Sequence, residues 1–201
     1  MKEKILEKST EMFLNYGFKS VTMDDIAEQL GISKKTIYAN YENKTELVEA
    51  STLFLFEFIS NGINLICELE KNPIDELFAI KRFVMEHLKN EKTSPQYQLQ
   101  KYYPQLFISL KKRQFDVMKE CVFENLERGV KLGIYRDGMN LDFITRIYFN
   151  GIIGIKDVET FPQKTFNPEY LLENYLEYHI RAIATEKGLQ TMGKLLLKNE
   201  K

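Results

Sequence analysis

Histidine and cysteine are almost missing from this chain: two of each in 201 residues, His87 and His179, Cys67 and Cys121. Neither pair has the short spacing of zinc ligands or of a disulfide framework. The cysteines therefore read as two reduced core thiols, with a redox pair as the alternative, the histidines as isolated helix residues, and no metal or cofactor is expected. Enzymatic turnover would need convergent acid, base and nucleophile groups, and no His-Asp-Ser or Cys-His grouping supplies them. Asp24-Asp25 is the adjacent acidic pair near a helix start, and capping accounts for Asp25. Positive charge is also in short supply. The formal net charge is −1, and residues 1–50 hold seven lysines against nine acidic residues, so a globally basic nucleic-acid binder is excluded. No apolar run reaches the roughly 18 residues that span a bilayer. Met1-Lys2-Glu3-Lys4 leads into mixed charge instead of a signal-type stretch. The expectation is a cytoplasmic protein with no membrane partner. Strand signals are weak, and there is no internal repeat or low-complexity tract.

What is present is helical. An apolar share of 44% with 28% charged residues can fill a core under an ordinary surface. Residues 3–16 put Ile5, Met12, Phe13 and Tyr16 on one face, and Gly17 ends that helix. Thr22 with Asp25 forms a capping box, Ile26, Ala27 and Leu30 follow, and Gly31 stops the second helix. Ser33 caps a third carrying Ile37 and Tyr38, and Asn43 with Glu46 opens a fourth. Asn72-Pro73 starts a fifth, to about Leu88. A loop over 89–96, a short helix to Tyr103 and a break at Pro104 come next. Residues 105–132 form a long helix stopped by Gly133. Further helices cover about 141–157 and, from Asn167-Pro168-Glu169, 168–186. The tail 189–201 reads as a frayed amphipathic turn or two. The fold class is all-α.

Three helices within 42 residues, the second and third joined through Gly31, have helix-turn-helix geometry, in which the second of the pair enters the major groove. Thr22 and Ser33 offer hydroxyls and free N–H groups at helix starts, where phosphate is favoured. Lys34, Lys35 and Thr36 occupy the first turn of the third helix, the part that reaches base edges. Tyr38 and Tyr41 carry phenolic donors for phosphate, and Lys44 adds charge at the next helix start. From Ser33 to Lys44 there are three lysines and one acid, Glu42, so the positive charge is local.

The run Phe13-x3-Gly17-Phe18-x3-Thr22-x3-Ile26-Ala27-x3-Gly31-Ile32-Ser33-x2-Thr36-Ile37-Tyr38-x2-Tyr41-x2-Lys44-x2-Leu47 resembles the DNA-binding domain of the tetracycline-repressor (TetR) family. The resemblance covers the first quarter of the chain; beyond it, only helix number, helix order and length agree. It implies an all-helical homodimer with an N-terminal three-helix DNA-binding domain and a C-terminal helical bundle for effector binding and dimerisation. The corresponding domains are residues 1–46, with the motif at about 22–41, and 47–201. It also implies a repressor released from double-stranded operator DNA by a small molecule. Thr22, Ser33, Tyr38, Tyr41 and Lys44 match phosphate-contacting positions, and Lys34 to Thr36 match the base-reading turn. Lys35 departs from the pattern, which commonly has a small residue there.

Beyond residue 51 the signals are coarser. Tyr102, Tyr103, Phe107 and Phe115, with Arg113 as a counter-charge, are the candidate lining of an apolar or amphipathic effector pocket around Pro104. The candidate dimer interface is Phe143, Ile147, Gly151, Ile152, Ile153 and Gly154 with Tyr175, because 143–155 is apolar around its whole circumference and its glycines admit close approach. Two other functions fit the same chain less well: a sequence-indifferent architectural DNA-binding protein, and an all-helical enzyme.

Overall fold

The structure, a computed structural model, describes residues 1–88, 95–162 and 164–199. Among these residues there are ten helices and no strand: α1 (Lys2–Tyr16), α2 (Met23–Leu30), α3 (Lys34–Tyr38), α4 (Lys44–Cys67), α5 (Pro73–Leu88), α6 (Pro95–Tyr102), α7 (Pro104–Lys131), α8 (Leu141–Gly154), α9 (Pro168–Ile183) and α10 (Glu186–Asn199). The loop expected over 89–96 falls mostly outside the described residues, and Pro95 is already the first residue of α6. The tail is a full helix instead of a frayed turn. Gly188 sits in its first turns, where a Cβ would collide with the Ile134 carbonyl oxygen.

The chain forms two compact units, residues 1–60 with 87–113 and residues 61–86 with 114–201. Neither unit ends at the expected 46/47 boundary. In the first unit, Ile5, Met12 and Phe13 of α1 meet Ile26 and Ala27 of α2, Ile37 of α3, and Leu47 and Val48 of α4. Leu99 of α6 and Leu110 of α7 close the same core.

In the second unit, α5 (Ile74, Leu77, Phe78) packs with Val122 and Leu126 of α7, Tyr148 of α8, Leu176 and Ile180 of α9 and Met192 of α10. A buried polar group sits within it. The Glu76 carboxylate is 1% exposed; its oxygens accept from Asn125 Nδ2 at 2.7 Å and Arg128 Nη2 at 2.5 Å. The Tyr135 hydroxyl donates to Asn125 Oδ1 at 3.1 Å, and burial pushes that phenol well above its ordinary pKa. A buried charge satisfied on both oxygens is tolerable; half-satisfied it would be costly.

The membrane expectation needs one correction. By length and composition α4 is long and apolar enough to cross a bilayer, with mean hydropathy 1.4 over its best window. Strict run-counting missed it because Glu57, Ser60 and Asn61 interrupt the sequence. Leu47, Val48, Ser51 and Thr52 at its start are buried in protein.

Candidate nucleic-acid interface

The Thr22 hydroxyl oxygen accepts from Asp25 N–H at 3.1 Å, and the Thr22 N–H donates to Asp25 Oδ2 at 2.7 Å. Both orphan donors at the start of α2 are thereby used locally. The Thr22 backbone N–H, and then its hydroxyl, hold the Asp25 carboxyl below the usual carboxylate range. Gly31 ends α2 at φ +63°, the left-handed conformation that glycine adopts without penalty, and its N–H returns to Ala27 and Glu28 carbonyls. Ser33 then caps α3, accepting from Thr36 N–H at 3.1 Å. α3 has only five residues, so its orientation comes from Ile37, which has no exposed surface.

That anchoring sorts the predicted DNA-contacting residues. Thr22, Ser33, Lys34, Lys35 and Tyr38 face solvent, while Thr36 and Lys44 are half-buried. Lys34 Nζ is held by Asp24 Oδ2 at 2.7 Å, which also raises the lysine pKa. Lys35 has no ion pair among the described residues, so its ammonium is the uncommitted one in the turn. Lys44 Nζ donates to the Lys19 carbonyl at 3.3 Å, and burial draws its pKa down. Tyr41 is 2% exposed, its ring part of the core, and its hydroxyl donates to the Lys2 carbonyl at 3.4 Å in a part-buried bond.

The candidate effector residues fall in both units. Tyr103 and Phe107 pack against the first unit's core, Tyr103 edge-on to Phe18 at 6.1 Å between centroids. Tyr102 is exposed, with Lys19 and Lys101 ammonium groups over its ring. Arg113 is exposed. Phe115 belongs to the second unit, where it meets Phe149 edge-on at 5.1 Å, with the Arg146 guanidinium over its ring.

The dimer candidates divide as well. Gly151 serves an intrachain contact: a Cβ there would fall on the Tyr175 ring, whose hydroxyl donates to the Tyr148 carbonyl at 3.0 Å. Ile152 packs against the second unit's core and Ile153 is half-buried. Phe143 and Ile147, four residues apart on α8, are 56% and 49% exposed, and nothing lies near Gly154. Tyr170 and Tyr178 of α9, also exposed, were missed because tyrosine carries no strong apolar signal in a helical pattern.

A two-helix unit with an αL glycine turn, a short anchored second helix and polar groups at its start is a DNA-reading device, and the comparisons agree. The family described as "Bacterial regulatory proteins, tetR family" matches residues 5–51. Residues 5–51 are thus similar to the DNA-binding domain of that family. The protein is 26% identical over 173 residues, 70% of this chain and 91% of the other, to the negative transcriptional regulator IcaR of the biofilm operon icaADBC in Staphylococcus epidermidis. Among solved structures it is similar to SmeT, the repressor of the Stenotrophomonas maltophilia multidrug efflux pump SmeDEF (TM-score 0.70, 16% identity, 92% of this chain and 91% of that one). It also resembles a Saccharomonospora viridis regulator in complex with choline (TM-score 0.74, 17% identity, 92% and 98%). At these identities the solved structures show the TetR fold.

Proposed function

We propose that this protein is a TetR-family regulator, a cytoplasmic repressor that reads a specific double-stranded operator as a homodimer and releases it when a small apolar or amphipathic effector binds. DNA contact is assigned to residues 1–46, effector binding and dimerisation to 47–201. The observation that carries the reading is the solvent-facing row Thr22, Ser33, Lys35 and Tyr38, set on a frame of fully buried Ile26 and Ile37. Thr22, Ser33, Tyr38, Tyr41 and Lys44 contact phosphates, Lys34 to Thr36 enter the major groove, and Lys35 reaches a base edge. The repressor sense and the effector rest on the relatives. The effector is assigned to the neighbourhood of Tyr102, Tyr103 and Phe107, of which Tyr103 and Phe107 are half-buried against the first unit's core.

Sequence-indifferent coating is the weaker reading. Such binding draws its affinity from phosphate neutralisation, and a stretch with nine acids against seven lysines supplies little of it. Selection from randomised duplex DNA tests the choice. The proposal expects survivors to share a palindromic pair of half-sites about one helical turn, roughly 34–36 Å, apart or a multiple of it. Survivors with no common sequence would sink it.

A further inference from the structure

Cys67 closes α4 and Cys121 lies in the middle of α7, yet their sulfurs meet in a disulfide with the Cα atoms 6.7 Å apart. Glu76 of α5 brings a carboxylate oxygen to the same point, so that the ligand atoms of all three residues lie within 4.8 Å of one another. The three residues line a cleft of about 590 Å³ within the second unit. Five further glutamates, Glu120 and Glu124 among them, share its wall with only two basic residues, Arg128 and Lys131. Such a wall concentrates cations and repels anions.

We propose that the reduced chain holds one thiophilic divalent cation, of the zinc and cadmium class, on Cys67, Cys121 and Glu76. A bacterial regulator works where its DNA is, and that compartment keeps thiols reduced, so the dithiol is the resting form. Two thiols that can reach each other can both reach one ion. Metal–sulfur bonds of about 2.3 Å set the two thiolates only ~3.8 Å apart in a tetrahedral site. Binding displaces one proton from each thiol to solvent. Thiolates select soft ions, whereas Mg2+ and Ca2+ demand six or more oxygens.

Glu76 is held ready for this. Asn125 and Arg128 each occupy one of its oxygens, and each oxygen keeps a second lone pair. Arg128 also completes the charge balance: a divalent ion on two thiolates and one carboxylate carries −1, and the guanidinium neutralises it. The fourth position of the ion stays open toward the cleft for water. In the disulfide state neither sulfur is a thiolate, so the same site cannot hold the ion.

The test uses the full chain, reduced with a phosphine, freed of reductant without air and titrated with CdCl2. The ultraviolet thiolate-to-cadmium charge-transfer band and proton release are followed together. Expected are one Cd2+ per chain, about two protons released, displacement by Zn2+ and none by excess Ca2+. Cys67→Ser and Cys121→Ser should each weaken binding by more than the roughly 10–100-fold that losing a mere outer partner costs, with helical content unchanged. The chain oxidised to the disulfide should show no band. A reduced chain without the band, a band that survives in both serine variants or in the oxidised chain, or Ca2+ competing on equal terms would each overturn the site.

Discussion

At the scale of single residues, two lysines nine positions apart, Lys35 and Lys44, are predicted to do different work. Lys35 is exposed and uncommitted, whereas Lys44 is half-buried against the Lys19 carbonyl. Lys35→Ala should lose about 1–3 kcal/mol on the operator and relax one base pair in each half-site, because a basic side chain at the start of the helix reads guanine O6 and N7. Lys44→Ala should weaken all sequences alike and lower the salt slope by about one. Binding curves on the operator and its single-base variants, at several salt concentrations, separate the two. An even loss with Lys35→Ala would assign that lysine to phosphate. Tyr41 was legible only in part: its spacing matched a phosphate-contacting position but did not announce that its ring is buried in the first unit's core.

His179 is a residue-scale case of stability. It is buried beside the Tyr148 ring, centroids 4.5 Å apart, and burial pulls its pKa down to about 4. The unfolded chain titrates this group near 6.5, so between those values the unfolded state holds the extra proton. Stability contributed by neutral His179 is complete above about pH 6.5, falls as pH drops toward 4 and is flat below. Linkage puts the whole loss at about 3 kcal/mol. Chemical denaturation at intervals from pH 7 to 4 should show a steeper decline for the wild type than for His179→Gln. Parallel declines would remove His179 as the cause.

At the scale of elements, the helix starts were legible because caps are local. Thr22, Ser33, Asn140 and Asn167 each accept from the first turn of their helices, and Asn43 does so for α4. Contacts joining distant segments left no such trace. Cys67 and Cys121 are 54 residues apart, Glu76 and Arg128 52 apart, and nothing in either neighbourhood announces the other. Gly151 illustrates a signal that names no partner. Its small size does admit a close approach, but by Tyr175 of α9 within the same chain. Gly151→Ala should therefore destabilise the fold by about 1–3 kcal/mol through overpacking. Gly154→Ala, with open space around it, should be neutral or stabilising by up to about 1 kcal/mol. Equal melting temperatures for the two variants would contradict this account of the α8–α9 contact.

At the scale of the whole molecule, the question is what covers α8 and α9. Helix-turn-helix proteins read two successive major grooves through two recognition helices, and one chain holds one. Phe143 and Ile147 on α8 and Tyr170 and Tyr178 on α9 leave large apolar side chains in solvent, and clustered exposure of that kind marks an interaction surface. A second copy of the chain, presenting the same faces, would form an isologous interface with closed two-fold symmetry and match a palindromic operator. Ile152 is a poor probe of this, since it belongs to its own chain's core and a charge there would unfold the protomer. Ile147→Asp is the better one: the side chain is half-exposed in the protomer, so its charge stays hydrated until a partner buries it, and burying it unpaired costs several kcal/mol. The variant should sediment as a folded monomer with near-wild-type helical content. Its affinity for the full operator should fall toward that for an isolated half-site, because the two recognition helices are no longer linked. An Ile147→Asp protein that remains a dimer of unchanged stability would remove this face of α8 from the interface.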